Sequence, residues 1–332
     1  MKATPVEAAR NELQKGHIGD AVALLRTAGA SGDAVALVEL AALYLRGDAL
    51  PRDLAAARSF LRQAVTIGHV DGALMEIALT ANGSGGAPDW RTATELLKNA
   101  AKADPVARQQ LSLLQSMRLD PAGDPLGLPE PTQLNQRPAI RRFADFCTPA
   151  EALHIASVVA KSLDRSTVVD PSGKLIPHPI RTSDNAAIGP TQETLVVQAI
   201  NRRIAAATKT DVKQGEPLTV LRYATGQEYR SHLDTLPRVS NQRITTAILY
   251  LNDGYEGGET FFPLLNVTIV PKAGDLLVFE NVTPRGESEP LCRHAGLPIR
   301  GGIKWIATRW IRSAPISPWD LSVAARSAAA IE

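Results

Sequence analysis

Residues 218–234 read LTVLRYATGQEYRSHLD. A β-type run is broken at Gly226, and a second extended run ends in His232 and Asp234. Residues two apart in a strand share a face, so these two side chains aim at one point while Leu233 turns away. The same β character continues in ITTAILYL (244–251), VTIV (267–270), DLLVFE (275–280) and IKWIATRWI (303–311), with Gly, Pro, Asn and Asp between the runs. Two helices come first. Thr148-Pro149-Ala150-Glu151 is a capping box with proline at the first helical position, opening a helix through about Leu163. A second helix, from about Gln192 to Ala207, carries Leu195, Val196, Ile200 and Ile204 on one face. Short strands after two helices predict a jelly roll, a double-stranded β-helix, with helices packed on one sheet.

The first third of the chain has a different period. Ala21, Ala57 and Ala93 are 36 residues apart, as are Leu25, Leu61 and Leu97. Ala28, Ala64 and Ala100 keep this interval, and so do Arg26, Arg62 and Lys98. Gly32 and Gly68 follow in register. Each copy reads as an amphipathic helix preceded by another, as in DAVALVELAALYLRG before PRDLAAARSFLRQAV. A period in the mid-thirties predicts a helix–turn–helix solenoid. The chain is therefore expected to be α+β with two domains: helical repeats over 1–119 and a β-rich domain over 139–318. Prolines at 121, 125, 129, 131 and 138 forbid a helix in the intervening 120–138, which reads as a linker or an extended strap. Residues 319–332 read as a tail.

Bulk properties exclude some classes. The formal charge of +2 implies neither a nucleic-acid nor a membrane partner. Two cysteines are too few for a disulfide framework and suit a reducing cytoplasm. The first residues, MKATPVEAARNELQKGH, lack the apolar core of a signal peptide, and no stretch reads as a membrane span.

A third ligand must come from elsewhere to complete the pair at 232 and 234. His294 lies some sixty residues on, after enough strands to bring the chain back to the same end of a barrel. Two imidazoles and one carboxylate on one side of a metal ion form the facial triad of a non-haem Fe(II) oxygenase. Lys304 stands on KWIATRW, where 304, 306, 308 and 310 share a face. An inward ammonium is expensive unless an anion meets it. The far carboxylate of 2-oxoglutarate would do so, and the four residues together nominate a 2-oxoglutarate-dependent hydroxylase.

Residues 139–313 resemble the prolyl 4-hydroxylase type of Fe(II)/2-oxoglutarate dioxygenase. Arg181-Thr182-Ser183 matches that family's RTS segment. Leu221-Arg222-Tyr223, Gly226-Gln227 and Tyr229 match the run that ends in His232 and Asp234. Arg243 and Thr246, the hairpin Gly257-Gly258-Glu259-Thr260 with Phe262-Pro263, and the turn Pro271, Gly274 and Asp275 follow in order. His294-Ala295-Gly296 with Pro298, then Gly301, Lys304, Trp305 and Trp310, complete the match. The resemblance implies that His232, Asp234 and His294 ligate Fe(II). It implies that Lys304 binds 2-oxoglutarate with help from the hydroxyls of Tyr223 and Thr246. Tyr229, Arg243 and Trp310 would face the substrate, O2 would be the second cosubstrate, and ascorbate would be the reductant. Tyr229 is on the wrong parity to join His232 in a regular strand, so a bend or bulge is expected between them. The region between Asp234 and Arg243 is shorter than in many relatives, and Ile299 stands where valine is usual.

The helical segments of about 5–115 resemble Sel-one-like repeats of the tetratricopeptide superfamily, which implies a surface for a protein partner. Gly47 and Asp53 fit the turn between repeat helices, whereas NGSGGAPDW (82–90) reads as irregular. Three functions remain open at this level. One is a peptidyl-proline hydroxylase recruited by its repeats. Another is a hydroxylase of a free amino acid or other small molecule. The third, a non-enzymatic interaction protein, is disfavoured by the intact His232, Asp234, His294 and Lys304. Nucleic-acid demethylation is disfavoured because relatives of that type carry arginine where this chain has Lys304.

Overall fold

The computed structural model describes residues 3–169, 175–270 and 272–320. Pro271 of the turn motif and 321–332 of the expected tail lie outside these. The chain divides into two compact units: 1–117, 121–123 and 190–198 form one, and 118–120, 124–189 and 199–332 the other. No helix among the described residues is long and apolar enough to cross a membrane.

The first unit is helical: α1 (Pro5–Gln14), α2 (Ile18–Ala30), α3 (Ala34–Arg46), α4 (Leu54–Thr66), α5 (Val70–Asn82), α6 (Trp90–Ala100) and α7 (Pro105–Ser116). The period-36 positions are its core. Ala21, Ala57 and Ala93 are wholly buried, as are Leu61 and Leu97, whereas Arg26, Arg62 and Lys98 are exposed. Gly47 ends α3 in a left-handed conformation (φ 74°), and Asp53 caps α4 by accepting from the amide of Ala56. Gly83 (φ 78°) and Asp89 do the same for α5 and α6, exactly one period later in the chain's numbering, so the stretch that read as irregular keeps the repeat's turn. Inside the unit Arg58 is buried on Glu76 (2.8 Å) and on the Thr80 hydroxyl (2.6 Å), which satisfies a charge that burial would otherwise penalise.

The second unit is built mainly of strands: β1 (Pro131–Asn135), β2 (Ile140–Phe143), β3 (Asp164–Arg165), β4 (Thr167–Val169), β5 (Leu175–Pro177), β6 (Asp184–Ala187), β7 (Thr219–Ala224) and β8 (Tyr229–His232). They continue with β9 (Arg243–Tyr250), β10 (Glu256–Gly257), β11 (Thr260–Phe262), β12 (Val267–Ile269), β13 (Leu276–Glu280), β14 (His294–Gly296), β15 (Ile299–Gly301) and β16 (Ile303–Arg312). Eight strands form a sheet in the order β1-β2-β13-β9-β16-β7-β6-β3, and four form a second in the order β12-β11-β14-β8. All their pairings are antiparallel. Tyr223, Ile248, Tyr250, Phe262, Phe279 and Ile306 are among the residues that fill the core, drawn from both sheets. This is the jelly-roll architecture expected.

Helix α8 (Pro149–Val159) starts at the capping box and packs on β7, but stops before Leu163, since Ser162 turns back to Val159. Its Glu151 is buried because Arg203 of α9 (Leu195–Thr208) grips both carboxylate oxygens, at 3.0 and 3.1 Å. The Pro-rich segment is not wholly a linker. Prolines bar a helix but allow an edge strand, and Pro131–Asn135 pairs with β2 at the margin of the large sheet.

Candidate active site

Strands β8 and β14 bring the two histidines together. His232 is the register partner of His294, with ring centroids 4.3 Å apart. Asp234 follows just beyond β8. Its Oδ1 is 3.4 Å from His232 Nε2, and its Oδ2 is 3.8 Å from His294 Nε2. All three residues are buried, and their ligand atoms lie within 4.8 Å of one another.

Backbone contacts set the ring orientations. His232 Nδ1 lies 2.8 Å from the carbonyl of Arg230, and His294 Nδ1 lies 3.0 Å from that of Cys292. A carbonyl can only accept, so each Nδ1 carries a proton and each ring turns its Nε2 toward Asp234. Burial, and then His232, pushes the His294 imidazole down to about 4, so it is neutral at neutral pH. Burial alone would raise the Asp234 carboxyl. His294, then His232 and the hydrogen bond from Thr246, outweigh it and hold the group far below the usual range. Two imidazole nitrogens and a carboxylate thus converge on one point, an arrangement that suits a divalent cation. The donor set of two imidazoles and one carboxylate fits iron.

The expected bulge is present. Three steps of β8, Tyr229 to His232, run opposite two of β14, His294 to Gly296. The extra residue turns Tyr229 inward, where its ring lies flat on His232 at 3.5 Å and 14°.

Lys304 lies in the middle of the large sheet, paired with Tyr223 on β7 and 3% exposed. It lines one cavity with Ile306, Thr308 and Trp310, the face predicted from alternation, and with His232 and Asp234. Its Nζ donates to the Gly258 carbonyl at 2.5 Å and lies 5.5 Å from the Tyr250 ring centroid. Glycine is required beside it. At φ +70°, a Cβ on Gly258 would stand 2.4 Å from Ile299 Cδ1 and 3.1 Å from Lys304 Cδ. No carboxylate lies within ion-pair distance of the ammonium among the described residues, and burial pushes it down to about 8. A buried cation at the end of a cavity that holds a metal triad fits a dicarboxylate bound between the two.

Residues 218–312 match the 2OG-Fe(II) oxygenase superfamily. Prolyl 4-hydroxylase 1 of Arabidopsis thaliana is 32% identical over 207 residues, spanning 56% of this chain and 73% of that protein. The chain belongs to the prolyl 4-hydroxylase-like 2OG-Fe(II) oxygenases. Prolyl 4-hydroxylase subunit alpha-1 of Gallus gallus is 33% identical over 185 residues, or 53% of this chain and 36% of that one. The structure of the viral collagen prolyl hydroxylase of Paramecium bursaria Chlorella virus-1 in its 2OG complex shares 27% identity, covering 53% of this chain and 96% of its own, with a TM-score of 0.44. In this dioxygenase family bound Fe(II) couples decarboxylation of 2-oxoglutarate by O2 to hydroxylation of a C–H bond.

The remaining site residues divide. Tyr223 is beside Lys304, and its hydroxyl hydrogen-bonds Ser183; burial pushes the phenol up to about 12, so it is neutral. Thr246 is placed differently from the expectation that it helps bind 2-oxoglutarate. Its hydroxyl donates to Asp234 Oδ2 at 2.6 Å and accepts from Asn281 Nδ2 at 2.8 Å, contacts that suit orienting the carboxylate of the triad. Trp310 lines the cavity, and its buried Nε1 has no hydrogen-bond partner among the described residues. Arg243 does not line that cavity. Its fork grips Glu216 at 2.7 and 2.8 Å, while the guanidinium lies 4.1 Å from the Trp310 ring centroid, behind the wall. Glu216, which also takes Arg312 at 2.5 Å, was invisible in the sequence.

Thr246→Val should therefore weaken Fe(II) binding by about 10–100-fold, the usual effect of losing an outer partner of a ligand. Anaerobic metal titration measures it. A raised 2-oxoglutarate requirement with unaltered metal affinity would instead return Thr246 to the cosubstrate.

Proposed function

We propose that the chain hydroxylates proline in a peptide or protein. His232, Asp234 and His294 hold the iron, and Lys304 with Tyr223 binds the far end of 2-oxoglutarate. The observation that carries the reading is the substrate side of the cavity. It is walled by the flat ring of Tyr229 and by Trp310, whose buried indole N–H lacks an acceptor. Two aromatic faces suit a compact apolar ring such as proline, and the indole donor suits a peptide carbonyl. Kinship with prolyl 4-hydroxylases supports the same substrate. Burial of the site excludes bulk water, while the low Asp234 carboxyl and the neutral His294 leave these two ligands unprotonated for metal at neutral pH.

The helical unit would recruit the substrate or a protein partner. A groove of about 800 Å³, lined by residues of α4 and α6 and of the turn into α5 that include Arg62, His69, Thr92, Leu96 and Asn99, supports this role. Cys147 and Cys292 are buried free thiols, in keeping with a reducing cytoplasmic setting. Ascorbate would serve as reductant. The test is anaerobic loading with Fe(II) and 2-oxoglutarate, exposure to O2, and mass spectrometry of lysate peptides and metabolites. Oxygen added to a prolyl residue supports the proposal; oxygen added only to a free metabolite overturns it.

A further inference from the structure

His178 takes no part in the chemistry described above. It lies just after β5, is 3% exposed, and its backbone N–H donates to the Ser166 carbonyl. Its Nδ1 accepts from the amides of Ile180 (3.3 Å) and Arg181 (3.1 Å). An Nδ1 that accepts places the ring proton on Nε2, and Nε2 is buried with no hydrogen-bond partner among the described residues. A buried donor left unmatched costs about 1–3 kcal/mol. Such a cost invites the question of what the ring does there.

Its contacts answer it. The imidazole stands edge-to-face to Tyr229, with centroids 5.9 Å apart and planes at 81°. Tyr229 in turn lies flat on the ligand His232. The backbone that His178 Nδ1 fixes also runs beside Tyr229. Arg181 bridges Tyr229, the Arg230 amide donates to the Ile180 carbonyl, and Thr182 and Glu228 exchange hydrogen bonds. One side chain therefore pins the segment 180–181 and braces the ring which that segment borders.

We propose that His178 is a positioning residue for Tyr229, holding the tyrosine ring on His232 so that the substrate wall is formed before substrate arrives. The proposal rests on the reading of Tyr229 as that wall. Loss of the brace then weakens substrate binding and lets 2-oxoglutarate turn over without product, while cosubstrate binding is untouched.

His178→Asn keeps an acceptor for the two amides and removes the ring; His178→Phe keeps a ring. Both are made in the full chain, and folding is checked by circular dichroism. Edge-to-face pairs are worth about 0.5–1.5 kcal/mol, so the Asn variant should raise the KM of a proline-containing peptide by up to about tenfold. It should also raise the ratio of succinate to hydroxylated peptide, with the KM for 2-oxoglutarate unchanged, and the Phe variant should recover the peptide KM. A second readout needs neither metal nor substrate. Ring-current shifts of the His232 imidazole protons, measured by NMR in the metal-free protein, should diminish in the Asn variant and return in the Phe variant. Unmoved His232 signals in a folded Asn variant overturn the proposal. So does an equal rise in both KM values. A wild-type protein that hydroxylates no prolyl peptide refutes the substrate reading instead, and the NMR result still decides the role of His178.

Discussion

Asp234→Ala abolishes turnover and, with it, the stabilisation of the folded chain by metal. The carboxylate supplies one of three ligand atoms and is the only anion among them, so its loss leaves two neutral imidazoles to hold a dication. The effect should exceed the about 10–100-fold typical of an altered outer-shell partner. Metal binding to the wild type at 100 times Kd is worth about 2.7 kcal/mol, about 5–10 °C in Tm for a unit of this size. The variant should show no such rise with Fe(II) under anaerobic conditions, or with Mn(II) in air. Its metal-free Tm should fall, because the fold holds the Asp234 carboxyl far below its ordinary range and the substitution leaves the Thr246 hydroxyl that donates to it without that acceptor. Succinate release at the wild-type rate, or an intact metal-dependent rise in Tm, would remove Asp234 from the site.

The fold was legible where the sequence carries a period. Alanines and leucines spaced by 36 residues name the buried seam of the helical unit because close helix packing admits only small or well-fitted side chains there. Alternation on β16 likewise gave the inward face from Lys304 to Trp310. The bulge at Tyr229 followed from parity alone, since a ring three residues from His232 can join it only through an extra residue. The turn over 82–90 was misread because its glycines and proline mask a cap pair, Gly83 and Asp89, that the helices require. Of the two readings of 120–138, a linker or an extended strap, Pro131–Asn135 takes the second, since proline rules out helix without ruling out an edge strand.

Side-chain partnerships across strands were less legible. Thr246 follows the family's pattern, yet its hydroxyl direction depends on where Asp234 ends after the β8 bulge. Glu216 precedes β7 in an unremarkable stretch, and only the antiparallel pairing of β16 with β9 brings Arg312 and Arg243 to it. His178 was silent for the same reason. A lone histidine after a proline says nothing until the segment it pins is laid beside Tyr229. Periods report faces, whereas the chemistry of this site depends on contacts between residues far apart in the chain.

Lys304→Met separates stability from cosubstrate binding, with opposite signs. Among the described residues the buried ammonium has no carboxylate at ion-pair distance, and its partners are one carbonyl and two aromatic rings. Methionine has a similar length and no charge to desolvate, so the variant should melt above the wild type when 2-oxoglutarate is absent. With 2-oxoglutarate the order reverses. Removing one member of a buried ion pair costs about 3–5 kcal/mol, equivalent to an affinity loss of about 10²–10³-fold or more. The metal should still bind, since Lys304 touches no ligand atom. The pH dependence follows from the same burial. Lys304 has its pKa lowered from 10.5 to about 8, chiefly by desolvation. Below about 8 the folded and unfolded chains both hold the proton, and the burial penalty is fully present. Between about 8 and 10.5 only the unfolded chain holds it, so the stability of the cosubstrate-free protein rises with pH through that window. Affinity for 2-oxoglutarate falls over the same range, because the neutral amine offers no charge to the far carboxylate. Isothermal titration and thermal melts at a series of pH values measure both trends in one preparation. A lower melting temperature for the variant, or a 2-oxoglutarate affinity that survives the substitution, would show that the ammonium is matched within the protein and does not await the cosubstrate.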